Sequence, residues 1–266
     1  MRQYYPIQIP FILSTKFKQN VSYSETILID VADFAICFWE MEPKTRSGLS
    51  VENIILPDAC VDLVVDGGTK TIGFAGMRKT EFHYQISTDS SSFGFRLKPG
   101  AFHCLTGLSA ELAMDGFMQL DSFDKTFLTR EFFAMQPIDQ KAFLRRYILM
   151  LAKGKSPCGF MRLFHALYLN TPDNVNEICE MLNYSQKQCE RLFAKHFGLT
   201  PKVVLNILRF QKALHILTSE QVSRSDILRI EGYYDQPHFN KDVKQTIGIT
   251  PLELIKVCRE DVDFIQ

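Results

Sequence analysis

Hydrophobic positions change their period once along this chain, near residue 120. Upstream, short runs such as "TILIDVADFAICFW", "NIILP", "CVDLVVD", "KTIGFAG", "EFHYQIS" and "SSFGFRL" are rich in Ile, Val and Phe. Turn signals such as "DGG" and "KPG" divide them, so strands are predicted there. In the last run Phe93, Phe95 and Leu97 alternate with Ser92, Gly94 and Arg96, the pattern of a strand with one buried face. From about residue 122 the period becomes helical. "FDKTFLTREFFAMQ", then Pro137, then "IDQKAFLRRYILMLAKG" predict two helices, the second carrying Leu144, Ile148 and Leu151 on one side. That apolar side serves either a seam between two copies of the chain or packing on the chain's own β-rich part. "KGKSP" (153–157) reads as a linker, and the remainder is helical. The expected architecture is α+β: a β-rich domain over 1–121 (a cupin-like barrel or a sandwich), a helical linker over 122–156, and an all-α domain over 157–266.

The helical part repeats itself. Residues 185–201, "SQKQCERLFAKHFGLTP", align with 235–251, "DQPHFNKDVKQTIGITP", at an offset of fifty. Ser185 and Asp235 are matching N-cap residues, and Gln188 completes a capping box with Ser185. Cys189, Phe193 and Phe197 match Phe239, Val243 and Ile247, an apolar stripe spaced i, i+4, i+8 in each copy. Gly198 and Gly248 suit the left-handed turn that ends a helix, and Thr200-Pro201 and Thr250-Pro251 cap and start the next one. Before each copy lies another helix. Val175, Ile178 and Leu182, with Asn183 for the turn, precede the first; Ile227, Ile230 and Gly232 precede the second. Each half is thus a helix-turn-helix. Between them Val203, Ile207, Phe210, Leu214 and Leu217 predict one unbroken helix over 201–218, about 27 Å long at 1.5 Å per residue. One turn of B-DNA is about 34 Å, so such a connector can present both second helices to successive major-groove faces.

Composition narrows this picture. Thirty basic and thirty acidic residues cancel, which removes the global basic footprint of many nucleic-acid binders and requires any basic surface to be local. Residues 171–259 hold twelve Lys/Arg and ten Asp/Glu, a net of +2. The seven cysteines are scattered without a C-x-x-C pair, which favours reduced thiols over a disulfide framework or zinc site. No apolar run reaches the roughly 18 residues of a membrane span, and a cytoplasmic protein without cofactor, metal or membrane partner is expected.

The residues 157–258, with "RLFAKHFGLTP", "RFQKALHIL" and "GYYDQPHFNKDVKQTIGITPLELI", resemble the DNA-binding domain of the AraC/XylS family of bacterial transcription regulators. "CFWEM", "ILPDACVDLVVDGG", "GFAGMRK" and "GFRLKPGAFHCLTG" are similar to an N-terminal domain found in a subset of those regulators. The resemblance implies double-stranded DNA as partner, with RNA polymerase at the promoter, and an N-terminal domain that binds a small-molecule effector, forms a homodimer, or both. The alternative is control by a protein partner, by abundance or by cysteine oxidation. The residues expected to face DNA are Gln186, Lys187, Glu190, Arg191 and Lys195 in the first unit, and Gln236, Pro237, Asn240, Lys241 and Lys244 in the second. Arg191 suits guanine and Gln236 adenine. Glu190 must either accept from a cytosine amino group or be repelled by phosphate, and Pro237 has nothing to donate.

In the β-rich domain Trp39, Phe74, Phe82, Tyr84, Phe93 and Phe95 are candidate walls of an apolar pocket, with Arg96 and His103 to orient a ligand. The competing readings are ordinary aromatic core and, for Arg96, a solvent-facing position. Asp58, Cys60 and Asp62 lie close in sequence, as do His103 and Cys104 with His83 further off, yet none supplies a full metal-ligand set. Alkyl transfer to cysteine, known beside some AraC-like helices, needs an activated multi-cysteine site that is lacking here. Cys60 and Cys104 remain candidates for thiol redox sensing.

Overall fold

The computed structural model describes residues 3–8, 14–219 and 236–262. Strand formation follows the alternating runs. After a short helix α1 (Thr15–Asn20) come β1 (Val21–Thr26), β2 (Ala35–Pro43), β3 (Ser50–Ile55), β4 (Val61–Asp66), β5 (Thr71–Ala75), β6 (Phe82–Ser87) and β7 (Ser92–Leu97). Helix α2 (Ala101–Thr106) precedes the short β8 (Phe117–Gln119). Six strands form one sheet in the order β1-β2-β7-β4-β5-β8, antiparallel throughout, and β3 pairs with β6 in a separate ladder.

Register decides which residues share a face. Arg96 stands opposite Asp62, Gly94 opposite Val64 and Trp39, and Tyr23 opposite Met41. With a period of two, one face of the large sheet carries Tyr23, Glu25, Trp39, Met41, Asp62, Asp66 and Arg96. The other carries Phe38, Leu63, Val65, Phe74, Phe93, Phe95 and Leu97. All of that second set except the half-buried Phe38 are buried. The aromatic face packs on helices: Phe74 meets Phe102 of α2 and Phe123 edge-on.

Those helices are α3 (Leu120–Phe123), α4 (Thr129–Ala134) and α5 (Pro137–Ala152). Leu144 and Ile148 of α5 are fully buried in the core shared with the sheet, while Lys141 pairs with Glu40 and Glu42 of β2 and Arg145 with Asp30. Of the two roles open to the apolar side of α5, packing on its own β-rich part is the one observed.

The C-terminal part contains α6 (Gly159–Leu169), α7 (Val175–Leu182), α8 (Gln186–Phe197), α9 (Pro201–Leu217), α10 (Gln236–Ile247) and α11 (Pro251–Val262). The helix expected before α10, with Ile227, Ile230, Gly232 and the Asp235 cap, lies outside the described residues. Two hydrophobic clusters organise this region. The first merges Phe164, Ile178, Phe193 and Phe197 with the β-rich core. The second joins Phe210, Leu214 and Leu217 of α9 to Phe239, Val243 and Ile247 of α10 and to Ile54 and Leu56 at the end of β3. Both helical units therefore pack against the N-terminal part.

Candidate functional site: a nucleic-acid interface and a cavity

The first helix-turn-helix is held by the expected local bonds. Asn183 adopts φ +53° at the end of α7. The Ser185 hydroxyl accepts from the Gln188 amide at 3.3 Å, and Ser185 N donates to Gln188 Oε1 at 2.9 Å, which completes the capping box. Cys189, Phe193 and Phe197 are fully buried beneath α8. That leaves Gln186, Lys187, Glu190, Arg191 and Lys195 exposed on the opposite face, with Gln186 Nε2 donating to Glu190 Oε1 at 3.1 Å. In the second unit Phe239, Val243 and Ile247 are buried in the same way. Gln236, Pro237, Asn240, Lys241 and Lys244 are exposed. The Thr200 hydroxyl caps α9 by accepting from Val203 N at 3.4 Å. Thr250 and Glu253 bond reciprocally at the start of α11. Helix α9 is unbroken over seventeen residues, about 26 Å. All ten expected DNA-facing side chains thus lie on two exposed helix faces joined by one stiff rod.

The second feature is a cavity of about 520 Å³ between the large sheet and the β3–β6 ladder. Trp39, Phe82, Tyr84 and Arg96 line it, as expected for a pocket wall. Phe74, Phe93, Phe95 and His103 do not. The three phenylalanines occupy the opposite, helix-covered face: Phe95 and Arg96 are neighbours on β7 and cannot share a side. His103 sits at the boundary with the helical part, where Nδ1 donates to Leu108 O at 2.6 Å and the ring meets His196 with centroids 4.4 Å apart. Burial, with His103 and Lys195 beside it, lowers the His196 pKa to about 4.

Arg96 is buried, not solvent-facing. Its Nη1 donates to Glu25 Oε1 at 2.7 Å and its Nη2 to the Tyr23 hydroxyl at 3.3 Å, while Nε lies 3.6 Å from Asp58 Oδ2 and 3.8 Å from Asp62 Oδ1. Tyr5 and Tyr23 both donate to Glu25. Burial opposes ionisation of Glu25, but Arg96 and the two hydroxyls outweigh it and hold its pKa below the ordinary value. Asp62 goes the other way. Burial pushes it up to about 7, with Arg96 pulling down and Asp58 and Glu25 pushing further up. In the sequence Asp58, Cys60 and Asp62 make only an incomplete metal-ligand set; their partner Arg96 is more than thirty residues away, and only strand pairing brings them together. Cys60 is a poor redox sensor, because burial and then Asp58 raise its thiol well above the ordinary value and withhold the reactive thiolate. Cys104 is also raised, by burial and then by Cys158.

Cavity and helices are connected. Asp58 Oδ2 accepts from Gln8 Nε2 at 2.8 Å, and Gln8 also bonds both backbone groups of Leu56. One residue earlier, Ile7 N donates to Gln211 Oε1 of α9 at 2.8 Å. Gln211, fully buried, donates in turn to Pro57 O at 2.8 Å. His215, a turn further along α9, bonds Tyr5 O at 2.8 Å.

Comparison with known proteins bears on both regions. Residues 178–256 match the model of a helix-turn-helix domain, and residues 29–118 that of a domain of unknown function (DUF6597). The chain is 30% identical over 83 residues to the HTH-type transcriptional regulator GbdR of Pseudomonas aeruginosa, covering 31% of this chain and 23% of that one. It is 30% identical over 81 residues to the HTH-type transcriptional activator RhaS of Escherichia coli strain SE11, covering 30% and 29%. The matches therefore span less than a third of these curated relatives. Among solved structures, ToxT of Vibrio cholerae O395 aligns with a TM-score of 0.39 at 11% identity over 90% of this chain and 96% of that one. The unsaturated fatty acid bound form of ToxT aligns at 0.38 and 11%, over 90% and 94%.

Proposed function

We infer that this chain, whose residues 178–256 form a helix-turn-helix domain of the AraC/XylS type, is a sequence-specific DNA-binding transcription regulator. The observation that carries the reading is the pair of equivalent polar faces, on α8 and α10, set on a common rod of about 26 Å. Two helices carried on such a rod enter successive major-groove segments on one side of a duplex. Arg191 forms the bidentate contact suited to guanine and Gln236 that suited to adenine. Glu190, tied to Gln186, accepts from a cytosine amino group, and Asn240 and Lys241 complete the second surface. Lys187, Lys195 and Lys244 reach phosphates. Pro237 contributes shape only, so the second unit positions more than it reads.

A net charge of +2 over residues 171–259 limits the counterion-release contribution, so one chain binds with moderate affinity and a second copy or adjacent site supplies the rest. The β-rich part senses a small molecule in its cavity, whose 520 Å³ lies within the range of ligand sites. The run Asp58, Gln8, Ile7, Gln211 carries occupancy to the connecting helix.

The test is genomic footprinting of wild type against the variant Arg191→Ala/Lys241→Ala, with folding checked by circular dichroism. The expected result is discrete sites holding two motifs about one helical turn apart, lost in the variant, with about 1–3 kcal/mol per lost base contact. Retention of the same sites by the folded variant overturns the assignment.

A further inference from the structure

The cavity wall is polar in an unusual sense. Its charged residues are Asp58, Asp62, Asp66 and Asp115 against Arg78 and Arg96, so carboxylates outnumber guanidinium groups. Arg96 is not free to greet an anion: Glu25 and Tyr23 already take its two terminal nitrogens, and Asp58 and Asp62 flank Nε. Arg78 lies over the Phe82 ring at 3.7 Å. Among the described residues the buried Asn53 Oδ1 lacks a hydrogen-bond partner, while Asp62 Oδ1 has only Arg96 Nε at 3.8 Å and the Trp39 indole beside it. Asn53 is 0% exposed, Trp39 3% and Arg96 5%. An unsatisfied buried acceptor is costly, so a molecule that donates to it gains affinity.

Resting on the effector-binding reading above, we propose that the cavity takes a small organic cation bearing N–H donors, an ammonium or amidinium on a flat apolar body, with the donors on Asp62 and Asn53 and the body against Trp39 and Tyr84. An anion would meet an excess of carboxylate in a low-dielectric wall, where like charges repel strongly. A quaternary ammonium would find aromatic faces but could donate a hydrogen bond to neither Asp62 nor Asn53. The charged and titratable groups facing Asp62 are Arg96 on β7, Glu25 on β1, Cys37 on β2, Tyr84 on β6, and Asp58 and Cys60 before β4. Together they leave Asp62 half ionised near neutrality. A cation binds the ionised form, so its affinity rises with pH through this range.

The test uses the full chain and isothermal titration with phenethylamine and benzamidine. Phenylacetate serves as the anionic match and trimethyl(phenethyl)ammonium as the cation without donors. The expected result is binding of the amine and the amidine, weakened about tenfold between pH 8 and pH 6 in the wild type, where both probes stay charged. Asp62→Asn should weaken it by about tenfold or more at pH 8. The wild-type pH series stands if that variant does not fold. Tighter binding of phenylacetate, equal binding of the methylated cation, a flat pH series, or no heat at about 10 mM probe each overturn the proposal. Footprinting of the same preparation separates the two readings: discrete DNA sites without amine binding sink only the ligand class, and amine binding without DNA sites sinks only the regulator.

Discussion

Asp62 carries a carboxyl that the fold opposes ionising. Its ordinary pKa near 3.9 is raised to about 7, so the folded state holds the proton more tightly than the unfolded chain. The stability this provides is complete below about pH 4 and is lost as pH rises through 7. Asp62→Asn should therefore leave stability at pH 4 almost unchanged and raise it by roughly 1–4 kcal/mol at pH 8, read by urea unfolding at both values. A variant that is equally stable or weaker at pH 8 refutes the burial account. His196 has the opposite sign. With its pKa lowered to about 4 by burial, then by His103 and Lys195, its contribution is present above about pH 6.5 and fades as pH falls through 4. At this scale the sequence was partly legible. Arg96 is legible as a polar candidate beside the pocket wall, but its three carboxylate partners come from β1, β4 and the turn before it, and nothing local joins them.

Among the elements, those with local causes were the most readable. Ser185, Gln188, Asn183 and Gly198 adopt the conformations their residue types favour, because capping bonds and left-handed turns depend on residues three or four apart. Ser185→Ala should cost about 1 kcal/mol, measured by thermal unfolding. The two helix-ending glycines are equivalent in sequence yet not in surroundings. Both have positive φ, +69° at Gly198 and +76° at Gly248. A Cβ on Gly198 would meet Ala110 O at 2.8 Å, whereas a Cβ on Gly248 meets nothing described within 4 Å. Gly248→Ala should cost about 1 kcal/mol for backbone strain, and Gly198→Ala roughly 2–4 kcal/mol, because it also pushes α8 off the β-rich part. Equal losses would refute the asymmetry. The strands show the complementary limit. Alternation on β7 correctly separates Phe93 and Phe95 from Arg96, but it cannot say which face helices cover and which face borders a cavity.

At the scale of the whole molecule, Gln211 is the buried polar link between the two parts, bonding Ile7 and Pro57 from the middle of α9. Gln211→Leu leaves those backbone groups unpaired, at roughly 2–4 kcal/mol, and should uncouple the parts. Trp39, the single tryptophan, reports on the β-rich part, while far-UV circular dichroism reports on the helices. Their transitions should coincide in the wild type and separate in the variant; coincidence in both would show that the apolar contacts of Ile54 and Leu56 suffice. By itself the sequence determined the repeat, the caps, the rod and the exposed faces of α8 and α10, because helix periodicity and capping are short-range and each is written within a few residues. Tertiary structure alone decided the cavity, the carboxylates gathered on Arg96 and the docking of both helical units on the β-rich part. These rest on strand order and register, which pair residues tens to hundreds of positions apart, and no local pattern encodes that choice of partner.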